Sequence, residues 1–270
     1  MTHFSSIKLP SQKELSFCIT CKNRSHQIKR TLVSNIKNNI KDKKYIEFVV
    51  VDFGSTDGLQ SWIIDNFRQE LDCNYLVYLY TEESNFWHMS VAKNTAHLLS
   101  SGKICVNLDC DNFTGKRGGN FILKKFNSCQ KSMILHQFSG FWGDGTCGRI
   151  SLLKKHFLKL GGYDESFEPM GYQDIDLLVR ANKLGLKYVK ESNSNYNDAI
   201  KNPKSSGTQF CNTNTSWRQM ESNNRKKSKK NILENNFVAN KTKEVIGISE
   251  NIFKYSNGSL LDLSPDHFLA

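Results

Sequence analysis

Short apolar runs alternate with helical patterns along the first half of the chain. Four runs predict buried strands, at residues 15–20, 48–51, 75–80 and 104–108. Apolar residues at helical spacing occupy the intervals between them: Ile28, Leu32 and Ile36; Leu59, Ile63 and Phe67; Ala92, Ala96 and Leu99. Near-continuous apolar strands that alternate with helices predict an α/β fold with a mostly parallel central sheet flanked by helices.

Polar stretches follow three of the predicted strands. They are TCKNR (residues 20–24), DFGSTDG (52–58) and DCD (109–111). Ligands of parallel sheets bind beyond the carboxyl ends of the strands. We therefore expect these stretches to meet at one edge of the sheet, although they are far apart in sequence.

The second half of the chain is more polar and less regular. FSGFWGDGTCG predicts a loop, and a short helix is expected to end at Gly161 and Gly162, which permit a tight turn. A helix follows within YQDIDLLVRANKLGL, with a further strand at 187–190, a loop over 191–207 and a basic helix over 218–244.

The charge balance favours an anionic partner. Lys and Arg number 37 against 26 Asp and Glu, a formal net charge of +11, which suits nucleic acid, anionic lipid or nucleotide phosphates. The first residues contain no apolar signal region, and no segment approaches the length of a membrane helix. We expect a cytoplasmic protein, with peripheral association with an anionic membrane as an open possibility.

Eight cysteines are scattered along the chain, several of them inside apolar runs. This distribution is typical of reduced, buried thiols. Cys18 and Cys21 have the spacing of half a metal site, but residues three apart on a strand point to opposite faces, so we expect none there.

Asp109 and Asp111 follow the fourth predicted strand directly. Residues two apart share a strand face, and the backbone turns at a strand end, so the two carboxylates can converge on one ligand. Mg²⁺ or Mn²⁺ suits them, because these cations take carboxylate oxygens and keep positions for water and substrate phosphates. The alternative is a solvated loop end with two ordinary acids.

Three segments in this order resemble the GT-A glycosyltransferases: EFVVVDFGSTDG, VAKNTAHLLSSGKICVNLDCDN and GGYDESFEPMGYQDIDLLVR. The first two look like the family 2 pattern, and the third is similar to a segment shared with galactosyl- and N-acetylgalactosaminyltransferases. The resemblance covers roughly residues 17–190. It implies a GT-A (Rossmann-like) fold, a nucleotide-sugar donor that is usually UDP-linked, and Mn²⁺ or Mg²⁺.

The resemblance also implies a nucleotide site. Matched by position, Asp52 would contact the nucleobase, beside Gly54 and Ser55 of the same motif. Thr20 and Arg24 would lie in the nucleotide pocket.

The same matching implies roles at the diphosphate. Lys93 would lie near the base or diphosphate, Asp109 would approach the ribose and the metal, and Asp111 would bind the metal directly. The cation and Lys93 would neutralise the leaving nucleoside diphosphate as the glycosidic bond breaks.

Asp174 is the candidate catalytic base. An inverting transfer needs one carboxylate to take the proton of the acceptor hydroxyl, and a helix start favours the ionised form. The pair Glu-Asp of the family is Gln173-Asp174 here, which leaves acceptor binding open. Asp176 points off at a different angle, and we expect it to be structural.

Two departures from the family pattern matter. Many relatives have two acids before Gly-Ser, whereas the second position here is Phe53. Many also carry a His that completes the metal site, and this chain has no His between His156 and His267. The candidate substitutes are Asn195, Asn197 and Asp198.

Trp142 and the basic run 225–230 each have two readings. Trp142 can stack on a sugar face or pack within its loop. The basic run is either a solvated helix face or a surface for an anionic membrane, a charged acceptor or the diphosphate.

The sequence thus predicts a metal-dependent, inverting transfer from a UDP-sugar to a glycan or glycolipid acceptor. Retention stays possible, since some relatives with a similar C-terminal segment retain configuration. The rivals are an inactive GT-A scaffold that binds a nucleotide or partner, and a basic nucleic-acid-binding protein, for which no motif is present.

The expected organisation is one domain over 1–245. It has a nucleotide-binding half (15–112), an acceptor and catalytic half (113–215) and a basic helical extension (216–245). A C-terminal tail (246–270) follows.

Overall fold

The computed structural model describes residues 12–82, 86–128, 132–202, 205–248 and 251–263. Its strands are β1 (Leu15–Cys21), β2 (Ile46–Asp52), β3 (Leu76–Thr81), β4 (Ile104–Asn107), β5 (Asn112–Phe113), β6 (Met133–Gln137), β7 (Ile150–Leu153), β8 (Lys187–Glu191), β9 (Asp198–Ala199), β10 (Ile252–Ser256) and β11 (Ser259–Asp262). Its helices are α1 (Ser25–Asn39), α2 (Leu59–Asn66), α3 (Arg68–Asp72), α4 (Met89–Leu99), α5 (Gly118–Ser128), α6 (Lys154–Lys159), α7 (Gln173–Lys183), α8 (Ser205–Thr208) and α9 (Trp217–Leu233). Short 3₁₀ turns occur at Ile40–Asp42 and Ser194–Tyr196.

A nine-stranded sheet runs in the order β11-β10-β3-β2-β1-β4-β7-β6-β8. The pairs β3-β2, β2-β1, β1-β4 and β6-β8 are parallel, whereas β10 and β7 run antiparallel to their neighbours. The predicted α/β fold with a mostly parallel central sheet is therefore confirmed. A separate small sheet pairs β5 with β9, and β5 follows the end of β4 along the chain.

Helices cover both faces of the sheet. On one face, α1, α2 and α5 pack on alternate residues of β1, such as Leu15 and Phe17. On the other face, α4 packs against Cys18 of the same strand, and α6 and α7 cover β6 and β7. Cys18 and Cys21 indeed lie on opposite faces, as expected for residues three apart.

The C-terminal region differs from its prediction. The expected tail, 246–270, instead contains the hairpin β10–β11, which extends the sheet beyond β3, and β10 pairs with β3, burying Ile252 completely. Residues 249–250 and 264–270 of that tail, and residues 1–11, lie outside the described residues. The basic helix α9 ends at Leu233, eleven residues before the predicted end.

The sequence patterns also missed β6 and β7. Gly161 and Gly162 do form the tight turn after α6, and both adopt positive φ angles. Within the described ranges, no helix is both long enough and apolar enough to cross a membrane.

Candidate active site

A cavity of ≈ 780 Å³ opens between the carboxyl ends of β1 and β4, where the strand order reverses. The starts of α7 and α9 contribute the opposite wall. This position is the expected ligand site of an open α/β sheet. The cavity brings together most of the sequence-predicted site residues, namely Thr20, Arg24, Lys93, Asp109, Asp111, Trp142 and Asp174.

Lys93 is the buried centre of this cavity. Its Nζ donates a hydrogen bond to Asp174 Oδ1 at 2.7 Å and lies 3.6 Å from Asp109 Oδ1, while its side chain is only 1% exposed. Burial alone lowers the pKa of Lys93, but the two carboxylates outweigh burial and raise it above the usual value. Lys93 is therefore a permanent cation that joins the end of β4 to the start of α7.

Asp111 lies beside Asp109 at the end of β4. Its Oδ2 lies 3.8 Å from Arg24 and accepts a hydrogen bond from Asn202 at 2.6 Å. Burial raises the pKa of Asp111, the Asp109 carboxylate adds to the rise, and Asn112 and Arg24 oppose it. Two carboxylates this close repel one another, which a bound cation would relieve.

This donor set fits a hard divalent cation. Asp109 and Asp111 offer only oxygen atoms, as Mg²⁺ and Mn²⁺ prefer, and both line the open cavity. Within the described part of the chain, no group of three or more His, Cys, Asp or Glu side chains is placed to hold a metal.

Gly148 closes one side of the carboxylate pair. A Cβ on Gly148 would lie 2.5 Å from Asp109 Oδ2 and 3.3 Å from Asp174 Oδ2. Asn107 fixes this approach, since its Nδ2 donates to Gly148 O at 2.7 Å and to Asp109 Oδ1 at 3.1 Å. The space between the two acids exists because position 148 has no side chain.

Asp52 does not line the cavity, and the contact with a nucleobase that the resemblance implied stays a prediction. Its Oδ1 accepts from Ser55 N at 2.9 Å, its Oδ2 accepts from Tyr78 Oη at 2.7 Å, and the residue is fully buried. Burial raises the pKa of Asp52, and the hydrogen bonds from Ser55 and Tyr78 oppose the rise. In this structure Asp52 shapes the loop that follows β2.

Gly54 and Ser55 are likewise outside the main cavity. Ser55 Oγ accepts from Asn23 N at 2.8 Å, which ties the loops after β1 and β2 together. Gly54 lines a second cavity of ≈ 600 Å³, which shares Lys22 and Phe210 with the first. Phe53, the departure from the family pattern, is buried and packs edge-on against Trp87.

Asp174 and Asp176 occupy the first turn of α7 and differ in environment. Asp174 faces the cavity, near the helix end that favours a negative charge. Asp176 is 1% exposed and pairs with Arg180 at 2.6 Å, and Arg180 also donates to the carbonyls of Leu160 and Gly162. As expected, Asp176 is structural.

The basic helix α9 has a buried side as well as a solvated face. Asn224, 2% exposed, donates to the carbonyls of Glu168, Met170 and Gly171, and its Oδ1 accepts from Glu168 N at 2.7 Å. This fixes the loop directly before Asp174. Asparagine in a polar helix gave no sequence signal for this role.

The structure also places Trp142 and the candidate substitutes for the missing His ligand. Trp142 is 71% exposed at the cavity, and its ring lies 5.0 Å from that of Phe138. Asn195, Asn197 and Asp198 do not line the cavity, whereas Asn202, which the sequence patterns did not single out, does.

Comparison with known proteins agrees with this architecture. Residues 16–117 match the family described as glycosyl transferase family 2. No curated protein sequence matched the chain.

Solved structures share the fold. A mannosyltransferase from Pyrobaculum calidifontis, PcManGT in complex with GDP-Man and Mn²⁺, is similar with a TM-score of 0.57 and 16% identity, over 74% of this chain and 61% of that one. S. aureus TarS 1–349 in complex with UDP-GlcNAc has a TM-score of 0.57 and 17% identity, over 70% and 59%. The chain thus spans about three fifths of the length of each. The predicted GT-A, family 2-like fold is confirmed.

Proposed function

We propose that this protein transfers a sugar from a nucleotide-sugar donor to a hydroxyl group of a glycan or glycolipid acceptor. The observation that carries the proposal is the contact of one buried cation, Lys93, with the carboxylates of both Asp109 and Asp174 in the cavity. This contact joins the proposed donor side to the proposed base within a single site.

The cavity offers charges that suit a nucleoside diphosphate. Arg24 and Lys93 are cations on its wall, and Asp109 and Asp111 would hold Mg²⁺ or Mn²⁺. Such a cation supplies Lewis-acid stabilisation of the leaving diphosphate. We infer UDP as the nucleotide, with GDP as the alternative, since similar folds were solved with each.

Asp174 is the proposed general base. Its Oδ1 accepts the hydrogen bond from Lys93, so Oδ2 is the atom that would take the proton. The acceptor oxygen would then attack the anomeric carbon as the bond from that carbon to the phosphate oxygen breaks. A single displacement of this kind inverts the configuration.

The acceptor would enter past aromatic side chains. Trp142, Tyr172 and Trp217 line the cavity, and Phe141 beside it is 76% exposed. Aromatic faces can stack on the apolar faces of sugars, which supports a carbohydrate acceptor. A glycolipid acceptor would also suit the exposed lysines of α9, Lys226, Lys229 and Lys230, because they can face an anionic membrane.

Calorimetry of UDP binding tests the donor side. We expect UDP to bind wild type with Mn²⁺, and Asp111→Asn to lose this metal dependence, while the exposed control Asp65→Asn keeps it. Absence of binding by UDP and GDP alike, with either metal, would overturn the proposal.

Turnover of Asp174→Asn tests the base. We expect UDP binding to persist while sugar transfer falls by roughly 10²–10⁴-fold. Full activity in this variant would remove Asp174 from the mechanism. The second candidate, a binding-only scaffold, is favoured by Phe53 and Gln173, which stand where the family pattern has acids, and donor hydrolysis by wild type would exclude it.

A further inference from the structure

We infer that Asn202 supplies the third protein oxygen to the cation held by Asp109 and Asp111, in place of a histidine. The inference rests on the proposed function and deepens it. It predicts a ligand set made only of oxygen atoms.

The first support is the position of Asn202. It lines the cavity, and its Nδ2 lies 2.6 Å from Asp111 Oδ2, across 91 positions of the sequence. The other side chains at the Asp111 carboxylate are less suitable. Arg24 is a cation, and the Oδ1 of Asn112 accepts from the buried Arg149 at 2.8 Å.

The backbone holds Asn202 near this carboxylate. Ile200 N donates to Asp111 O at 2.8 Å, and Ala199 pairs with Asn112 in the small sheet. The segment that contains Asn202 is therefore hydrogen-bonded to Asp111 itself through Ile200, two residues before Asn202. Asn195 and Asp198, in contrast, are exposed and do not line the cavity.

The amide can present either end to the cavity. Asn202 Oδ1 now accepts from Gln27 Nε2 at 2.5 Å, and Gln27 is 3% exposed with no partner for its Oε1. Turning both amides by 180° keeps one hydrogen bond between them, from Asn202 Nδ2 to Gln27 Oε1. That turn gives up the hydrogen bonds of Nδ2 to Ile200 O at 2.8 Å and to Asp111 Oδ2 at 2.6 Å, and it directs Asn202 Oδ1 towards Asp111, where a cation between the two oxygens would replace the lost bonds.

The chemical consequence is metal preference. Two carboxylates and one amide oxygen form a hard ligand set that suits Mg²⁺ and Mn²⁺, whereas an imidazole nitrogen adds affinity for Co²⁺, Ni²⁺ or Zn²⁺. We expect Mg²⁺ to support nucleotide binding nearly as well as Mn²⁺.

The test measures UDP affinity by calorimetry with saturating Mg²⁺, Mn²⁺ or Co²⁺. We expect Asn202→Ala to weaken metal-dependent binding about tenfold and leave metal-free binding unchanged. Asn202→Asp, which keeps an oxygen ligand, should retain metal-dependent binding. Asn202→His should raise the ratio of Co²⁺ to Mg²⁺ affinity about tenfold and change the visible absorption of bound Co²⁺.

The matched control is Asn195→Ala, which should behave as wild type. Wild-type affinities in Asn202→Ala, or an Asn202→His that keeps the wild-type Co²⁺ spectrum, would overturn the inference. If Asp111→Asn is also unchanged, the metal site of the proposed function fails as well. A loss in Asn202→Asp equal to that in Asn202→Ala would likewise count against ligation.

Discussion

Lys93 is a buried cation between two carboxylates that come from distant parts of the sequence. Its ammonium group contacts Asp174 at 2.7 Å and Asp109 at 3.6 Å, and its ring neighbour Tyr163 lies 5.3 Å away. Burial opposes the charge of Lys93, but the two acids outweigh burial and raise the pKa of Lys93. The two contacts therefore hold the proposed metal site and the proposed base together before any substrate arrives.

Replacing Lys93 by methionine removes the charge and keeps much of the volume. We expect kcat to fall by roughly 10²-fold, because the cation that contacts both Asp109 and Asp174 is lost. Steady-state kinetics measure this effect. Lys103→Met, which removes an exposed ion pair with Glu14, is the control and should leave kcat unchanged.

Gly148 tests the geometry of the same site. An alanine side chain would lie 2.5 Å from Asp109 Oδ2, so we expect Gly148→Ala to reduce kcat by roughly 10–10²-fold with little change in the thermal midpoint. Gly185→Ala is the control with strain but no clash: a Cβ at position 185 would meet no atom within 4 Å, but the backbone there has a φ of +87°. It should cost about 1 kcal/mol of stability and leave kcat unchanged. Unaltered kinetics in Gly148→Ala would contradict this reading.

At the level of elements, α9 acts as a support for the start of α7. Asn224→Leu removes the hydrogen bonds to the carbonyls of Glu168, Met170 and Gly171. We expect a lower thermal midpoint and a tenfold or larger fall in kcat, with UDP affinity retained. Asn231→Ala, which removes a hydrogen bond to Asp164 that is long at 3.4 Å, is the control. A fall in UDP affinity alone would place α9 at the donor instead.

The hairpin β10–β11 is the element that the sequence patterns missed most clearly. Ile252 is fully buried among residues that include Val77 and Ala92, so Ile252→Ala should cost about 2–4 kcal/mol of unfolding free energy. Leu261→Ala, at a residue 45% exposed, should cost no more than about 0.5 kcal/mol. Urea denaturation of both variants measures this. Equal midpoints would mean that the hairpin adds nothing to the sheet.

The sequence predicted the elements whose patterns are local. The strands β1 to β4 and the polar stretches after β1 and β4 came from apolar runs with clear ends. The strands β6, β7 and β10 were not predicted, because their apolar runs are short or mixed with polar residues and their pairing partners are distant in sequence. A local pattern also could not show that Asp52 is enclosed by Ser55 and Tyr78.

For the molecule as a whole, His97 links pH to stability. His97 on α4 is fully buried, hydrogen-bonded to Lys93 O at 2.7 Å and stacked on Phe157. Burial lowers the pKa of His97 to about 3, and the charges of Lys93 and Lys154 add to this effect. The carbonyl must accept from Nδ1, so the neutral ring carries its proton there.

The direction of the pH effect follows from the two states. Above about pH 6.5, the ordinary pKa of histidine, His97 is neutral in the folded and the unfolded chain alike. Its contribution to the free energy of unfolding is then fully present. As the pH falls below that, the unfolded chain binds a proton that the folded chain rejects until about pH 3, so stability declines across this window. The decline from pH 7 to pH 5 attributable to His97 is about 2 kcal/mol.

His97→Asn should remove this decline, since an amide can still donate to Lys93 O but does not titrate. We expect the variant to be less stable than wild type at pH 7, yet to lose about 2 kcal/mol less on going to pH 5. Urea denaturation at the two pH values measures the difference, and His26→Asn, at an exposed position, should match the wild-type slope. An unchanged slope in His97→Asn would mean that the ring gains its proton without opening the core. Because the same ring holds the backbone of Lys93, acid that protonates the ring should displace Lys93 from the cavity as the fold is lost.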